Sequence, residues 1–169
     1  MDRNAEYIII TKRLIILTII PLVITGIMCW LTFKHDFRFM VSWFVLQCGF
    51  IGGFVSIQQR LKKADDNELK RLSGSWFSLL LVPIFGGIFA LVLYLLFLSG
   101  LIEGKMFPKF YIPPFSEIPV TEDIKNLFIK TYPLHGHDFT KLAFWSFMSG
   151  FSERFVTGII KGAANSARA

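Results

Sequence analysis

The chain has 169 residues, 53% of them hydrophobic and 16% aromatic, with 18% charged, a net charge of +6 and a mean hydropathy of +0.54. A soluble domain is about 25% charged, so this chain lacks the charge to cover a water-exposed surface, and its 19 Phe exceed what a small core takes up. The composition therefore excludes an ordinary soluble domain and points to a single transmembrane domain over 1–169.

The apolar residues fall into blocks. Crossing a hydrocarbon core of about 30 Å takes about 20 helical residues. Residues 14–33 form one uncharged block, 39–57 a second and 76–102 a third. The fourth, 142–160, is interrupted by Ser152, Glu153 and Arg154. Backbone groups in lipid must be satisfied within their own segment, so each block is predicted to be helical. A membrane β-barrel would show alternating segments of about ten residues, and the sequence has none. The fold class expected is thus all-α, with four transmembrane helices. Lys12 and Arg13 precede the first block as they would in a signal peptide, but no small-residue cleavage site follows it, and it is read as a retained anchor.

Lys and Arg in short flanks set orientation. Placing the N-terminus, the 58–75 hairpin and the tail inside gives ten basic residues inside against seven outside. The densest cluster, Arg60, Lys62, Lys63, Lys70 and Arg71, then lies in the cytoplasm, and both ends are inside. That hairpin is rich in helix formers and is the largest polar surface on the inner side, either a solvated turn or a docking surface for a cytoplasmic partner. The basic excess follows from the positive-inside pattern and from attraction to anionic lipid. No nucleic-acid motif accompanies it, so direct nucleic-acid binding is not expected.

Within the blocks, Gly49 and Gly53 form one small-x-x-x-small pair and Gly86 and Ala90 another. Such faces let helices approach closely, inside one chain or between copies. Pro21 and Pro83 are potential kinks. Cys29 and Cys48 lie in predicted spans and read as small buried hydrophobes, although a disulfide between them is conceivable.

The external loop, 103–141, carries Pro108, Pro113, Pro114, Pro119 and Pro133 among many aromatics. Residues 120–130 read as a short amphipathic helix, with Thr121 as its cap and Ile124, Leu127 and Phe128 as its apolar stripe. A loop this long and apolar is expected to pack as a small cap, on the membrane surface or on a neighbouring subunit. His135, His137 and Asp138 are of metal-ligating type, but their spacing matches no closed site, and no metal or cofactor is expected.

Ser152, Glu153 and Arg154 sit at membrane depth, where an ionisable group costs about 2.5–3.5 kcal/mol on insertion scales. Together with Gln47 they are the candidates for intramembrane coupling, the alternative being an internal cap or salt bridge. No nucleophile, paired-carboxylate or metal constellation shares a depth, so the chain is read as a non-enzyme.

The run Gly150-Phe151-Ser152-Glu153-Arg154-Phe155, following Phe144-Trp145-Ser146-Phe147, and the run Gly52-Gly53-Phe54-Val55-Ser56-Ile57-Gln58-Gln59-Arg60-Leu61 resemble the membrane subunit of the Kiwa anti-phage defence system. Thr157 stands where that family's run has Pro. The resemblance spans the whole chain through short motifs. It implies a multi-pass protein of the bacterial inner membrane, a homo-oligomer of tetrameric form, and a cytoplasmic partner that binds DNA. It supplies no catalytic residues. The expected function is a membrane-embedded sensor or scaffold of such a system, with a channel-forming effector that depolarises the cell as the alternative.

Overall fold

A computed structural model describes residues 3–35, 41–61, 64, 72, 74–118 and 120–151. Its elements are α1 (Arg3–His35), α2 (Val41–Leu61), α3 (Trp76–Leu98), β1 (Phe110–Tyr111), α4 (Thr121–Lys130), β2 (Tyr132–Pro133) and α5 (Gly136–Phe151). Three of these helices are long and apolar enough to cross a membrane, over Ile8–Met28, Val41–Leu61 and Leu79–Leu98. The chain is a mostly helical membrane protein, with a small two-stranded ribbon added in the loop between α3 and α5.

The core is made by α2, α3 and α5. Gly53 abuts Pro83 while Gly49 abuts Gly86 and Ala90, so α3 runs antiparallel to α2. Phe44 stacks on Phe139 at 4.5 Å, and Gly49 meets Gly150, so α5 runs the same way as α2. α1 joins this core through its first half only. Ile10, Leu14 and Leu17 pack in one cluster with Phe54, Ile57, Leu61, Ala64 and Leu79. Beyond them Leu22, Val23, Ile24, Ile27 and Met28 are exposed. Such a surface is costly in water and neutral in hydrocarbon.

Two cation–aromatic pairs involve α1, one in its first half and one at its C-terminal end. The Arg13 guanidinium lies 5.0 Å over the Trp76 ring and the Lys34 ammonium 4.8 Å over Trp30. Inside α1, the Thr18 hydroxyl donates to the Leu14 carbonyl and the Thr25 hydroxyl to that of Pro21. Such bonds take up carbonyl capacity around a proline that has no N–H of its own.

Helix bounds differ from the predicted blocks where the hydrogen-bonded ladder ignores hydropathy. α1 begins well before residue 14, because its polar first turns continue the same helix. α3 stops at Leu98 rather than 102: Gly100 adopts φ +72° and its N–H donates to Phe97 O, a helix-ending turn that a side chain resists. α5 starts at Gly136, six residues before the apolar block does, and is described as far as Phe151. The rest of the predicted fourth span, and residues 62, 63 and 65–71 of the hairpin, lie outside the described residues.

Candidate functional site

Small residues bring the core helices into backbone contact. A Cβ at Gly49 would lie 2.5 Å from Gly86 O and 2.6 Å from the Ala90 Cβ, and a Cβ at Gly150 would run into Gly49 O. Gly52 likewise faces Phe147 O, and a Cβ at Gly53 would lie 2.6 Å from the Pro83 Cα. The structure thus brings Gly49, Gly53, Gly86 and Ala90 together within one chain. It adds Gly52 and Gly150, which the two paired patterns in the sequence do not contain.

Polar groups line the same interior. Gln47 is buried, and its Oε1 accepts no hydrogen bond among the described residues. Ser146 and Ser149 on α5 are buried too, with the Ser149 hydroxyl donating back to Ser146 O at 2.8 Å. Of the remaining intramembrane candidates, Ser152, Glu153 and Arg154 lie outside the described residues. Of the basic docking candidates only Arg60 is described, exposed in the last turn of α2, while Lys62, Lys63, Lys70 and Arg71 are not.

The cap is fastened to the C-terminal end of α3 and the N-terminal part of α5. Phe107 stacks between them, 5.6 Å from Phe97 and 5.2 Å from Trp145. The Trp145 indole N–H donates to Met106 O at 2.9 Å. Phe110 packs edge-on against the buried Tyr94 at 5.5 Å. The ribbon pairs Phe110 with Pro133 and Tyr111 with Tyr132, whose rings stack at 5.0 Å. A cleft of about 650 Å³ remains between the end of α3 and the cap, with Glu103, Lys105 and Lys109 at its polar side.

Two carboxylates organise this cap. Asp123 accepts from Val120 N–H at 3.0 Å and from Ser116. The N-cap is therefore Val120, not Thr121, and the capping acceptor is the acid three residues on. The hydrogen bond from Val120 leads the causes that hold the Asp123 carboxyl below its ordinary range. On α4 the buried residue is this Asp123, whereas Ile124 and Phe128 of the predicted stripe stay exposed.

Asp138, at the start of α5, is almost wholly buried. Burial alone would raise its carboxyl. Hydrogen bonds from His135, the Lys109 backbone N–H and Lys141, with the neighbouring charge of His137, outweigh burial and hold it below the ordinary range. Lys141 also donates to Phe107 O at 3.5 Å, so Asp138 anchors the turn that joins cap to helix.

The sequence signalled the apolar helices and small-residue faces but not this junction. Its one available sign was a Trp and a Lys at positions 145 and 141, spaced to share a helix face. Compared with protein-family models, with curated proteins and with solved structures, the chain matches none.

Proposed function

We propose that the chain is a four-crossing subunit of the bacterial inner membrane, acting as sensor or scaffold in anti-phage defence. Both ends and the 58–75 hairpin lie in the cytoplasm in this reading. Support for the crossings comes from the alternating directions of α1, α2, α3 and α5 and from the basic residues gathered on one side. The sequence resemblance to the Kiwa membrane subunit supports the defence role, the tetramer and the DNA-binding cytoplasmic partner, which would dock on Arg60, Lys62, Lys63, Lys70 and Arg71.

One observation carries the sensor reading. The cap is bonded to α5 at Trp145, Lys141 and Asp138, and α5 then touches α2 and α3 through bare backbone at Gly150. A cap displaced by an envelope disturbance moves α5 as a rod. The movement bears on the Gly150 contact, two to four residues in sequence before Ser152, Glu153 and Arg154. Packed interfaces of this kind shift between discrete arrangements rather than deform smoothly.

A depolarising channel is the second reading, favoured by the buried Gln47 Oε1, which accepts no hydrogen bond among the described residues. The close approach at Gly49, Gly86 and Gly150 leaves no lumen there, so any pore would have to form between copies.

Purification of the full chain from native membranes tests both. An oligomer that carries a cytoplasmic DNA-binding protein is expected, and Glu153→Gln should weaken assembly or signalling while membrane insertion survives. A lone monomer without a partner overturns the sensor reading, and ion flux through liposomes holding the protein alone replaces it with the channel.

A further inference from the structure

The turn between β2 and α5 gathers three groups of metal-ligating type within four residues. One ligand atom from each of His135, His137 and Asp138 lies within 4.8 Å of the others. His135 Nδ1 stands 3.1 Å and His137 Nε2 3.5 Å from the same oxygen, Asp138 Oδ2. Around a tetrahedral zinc ion with bonds of about 2.0–2.1 Å, neighbouring ligand atoms are about 3.3–3.4 Å apart. Both measured separations bracket that edge.

The carboxylate is prepared for such a role. Oδ2 faces the two imidazoles, and Oδ1 is held by the Lys141 ammonium at 3.5 Å. A monodentate carboxylate ligand whose free oxygen is engaged by a neighbouring donor has its orientation fixed in advance. An incoming ion would take the place of the proton between His135 Nδ1 and Asp138 Oδ2, 3.1 Å apart. The two imidazole rings stack at 5.0 Å, and their side chains are 64% and 66% exposed, so they can turn their lone pairs to a shared point without repacking a core. Gly136 between them has open space where a Cβ would stand. His137 also lines a shallow hollow of about 570 Å³ with Met106, Lys141, Phe144 and Trp145. That hollow has room for water as a fourth ligand.

We propose that His135, His137 and Asp138 form an open site for a borderline divalent transition-metal ion of the zinc class, with two imidazole nitrogens, one carboxylate oxygen and a water. The donor set suits zinc, nickel or copper and not calcium or magnesium, which prefer all-oxygen shells. An ion there pins the turn that carries the Lys141 and Trp145 contacts, and so stiffens the junction between cap and bundle. The proposal goes beyond the sensor reading and does not depend on it.

The test is calorimetric titration of Zn(II) into the full chain, metal-stripped, in detergent micelles and free of any polyhistidine tag. One ion per chain is expected, with His137→Ala weakening binding by about tenfold or more. His35→Ala removes the remaining histidine and should leave binding unchanged. Co(II) should give the visible absorption of a tetrahedral site in the wild type and not in His137→Ala. The His137 side chain is two-thirds exposed, so metal-free thermal unfolding of the variant should stay close to that of wild type. Wild-type binding no stronger than that of the His135→Ala/His137→Ala double variant, or equal loss with His35→Ala, overturns the site.

Discussion

The two halves of α5 belong to two regions that are held together in different ways. At Gly150 the helix meets α2 and α3 by shape alone, with no side chain between the backbones. At Asp138, Lys141 and Trp145 it meets the cap through directed bonds to single atoms: an ammonium, an indole N–H and a buried carboxylate. Shape contacts tolerate no added volume but are indifferent to pH. Directed contacts tolerate volume but respond to protons and to the loss of one donor. One helix thus carries an end that resists added volume and an end that responds to protons and to the loss of a donor.

The largest effect should come from adding one methyl group to the bundle. Gly49→Ala places a Cβ against Gly86 O and the Ala90 Cβ, and overpacking of this kind costs about 1–3 kcal/mol. Gly26→Ala makes the same change on α1, where nothing lies within 4 Å, and should stay within about 0.5 kcal/mol of wild type. Unfolding of the purified variants in detergent separates the two. Equal effects would remove the distinction between the core and the free half of α1.

Gln47→Met comes next. It keeps the volume and removes the carbonyl without a partner, whose burial costs about 1–3 kcal/mol. The unfolding midpoint should rise. A fall would mean that Oε1 is engaged in the assembled protein, and would weaken the account of the bundle as held by shape alone.

The smallest effect belongs to the cap. Asp123 titrates below its ordinary range when folded, so its stabilisation is fully present above the unfolded-state value. It is lost as pH falls through the lowered folded value. Hydrogen exchange of residues 116–130 should therefore speed up in acid, while exchange in α2 and α3 stays constant. In Asp123→Asn, exchange across 116–130 should be fast already at neutral pH and lose its acid step.

The two regions were also unequally legible. The apolar blocks follow from composition, because lipid demands long uncharged stretches, and three of them appear as long apolar helices. The start of α5 was hidden: residues 136–141 include His137, Asp138 and Lys141, and a helix's hydrogen bonds continue past the edge of the apolar block. Val120 gave no sign of being a cap, since the acceptor is the side chain of Asp123, which in sequence looks like any first-turn acid. The paired glycine patterns pointed to α2 and α3. The third participant, Gly150, stands four positions after Ser146, a small-x-x-x-small spacing that the paired glycine patterns passed over, and packing shows it against Gly49.

The half-attached first helix has one more consequence. Arg13 and Trp30, the members of its two cation–aromatic pairs, are 17 positions apart, a rise of about 26 Å. That is close to the thickness of a hydrocarbon core, about 30 Å. A membrane that thins or thickens locally must be met by tilt. α1 can lean from its packed first half while the glycine contacts among α2, α3 and α5 stay in place.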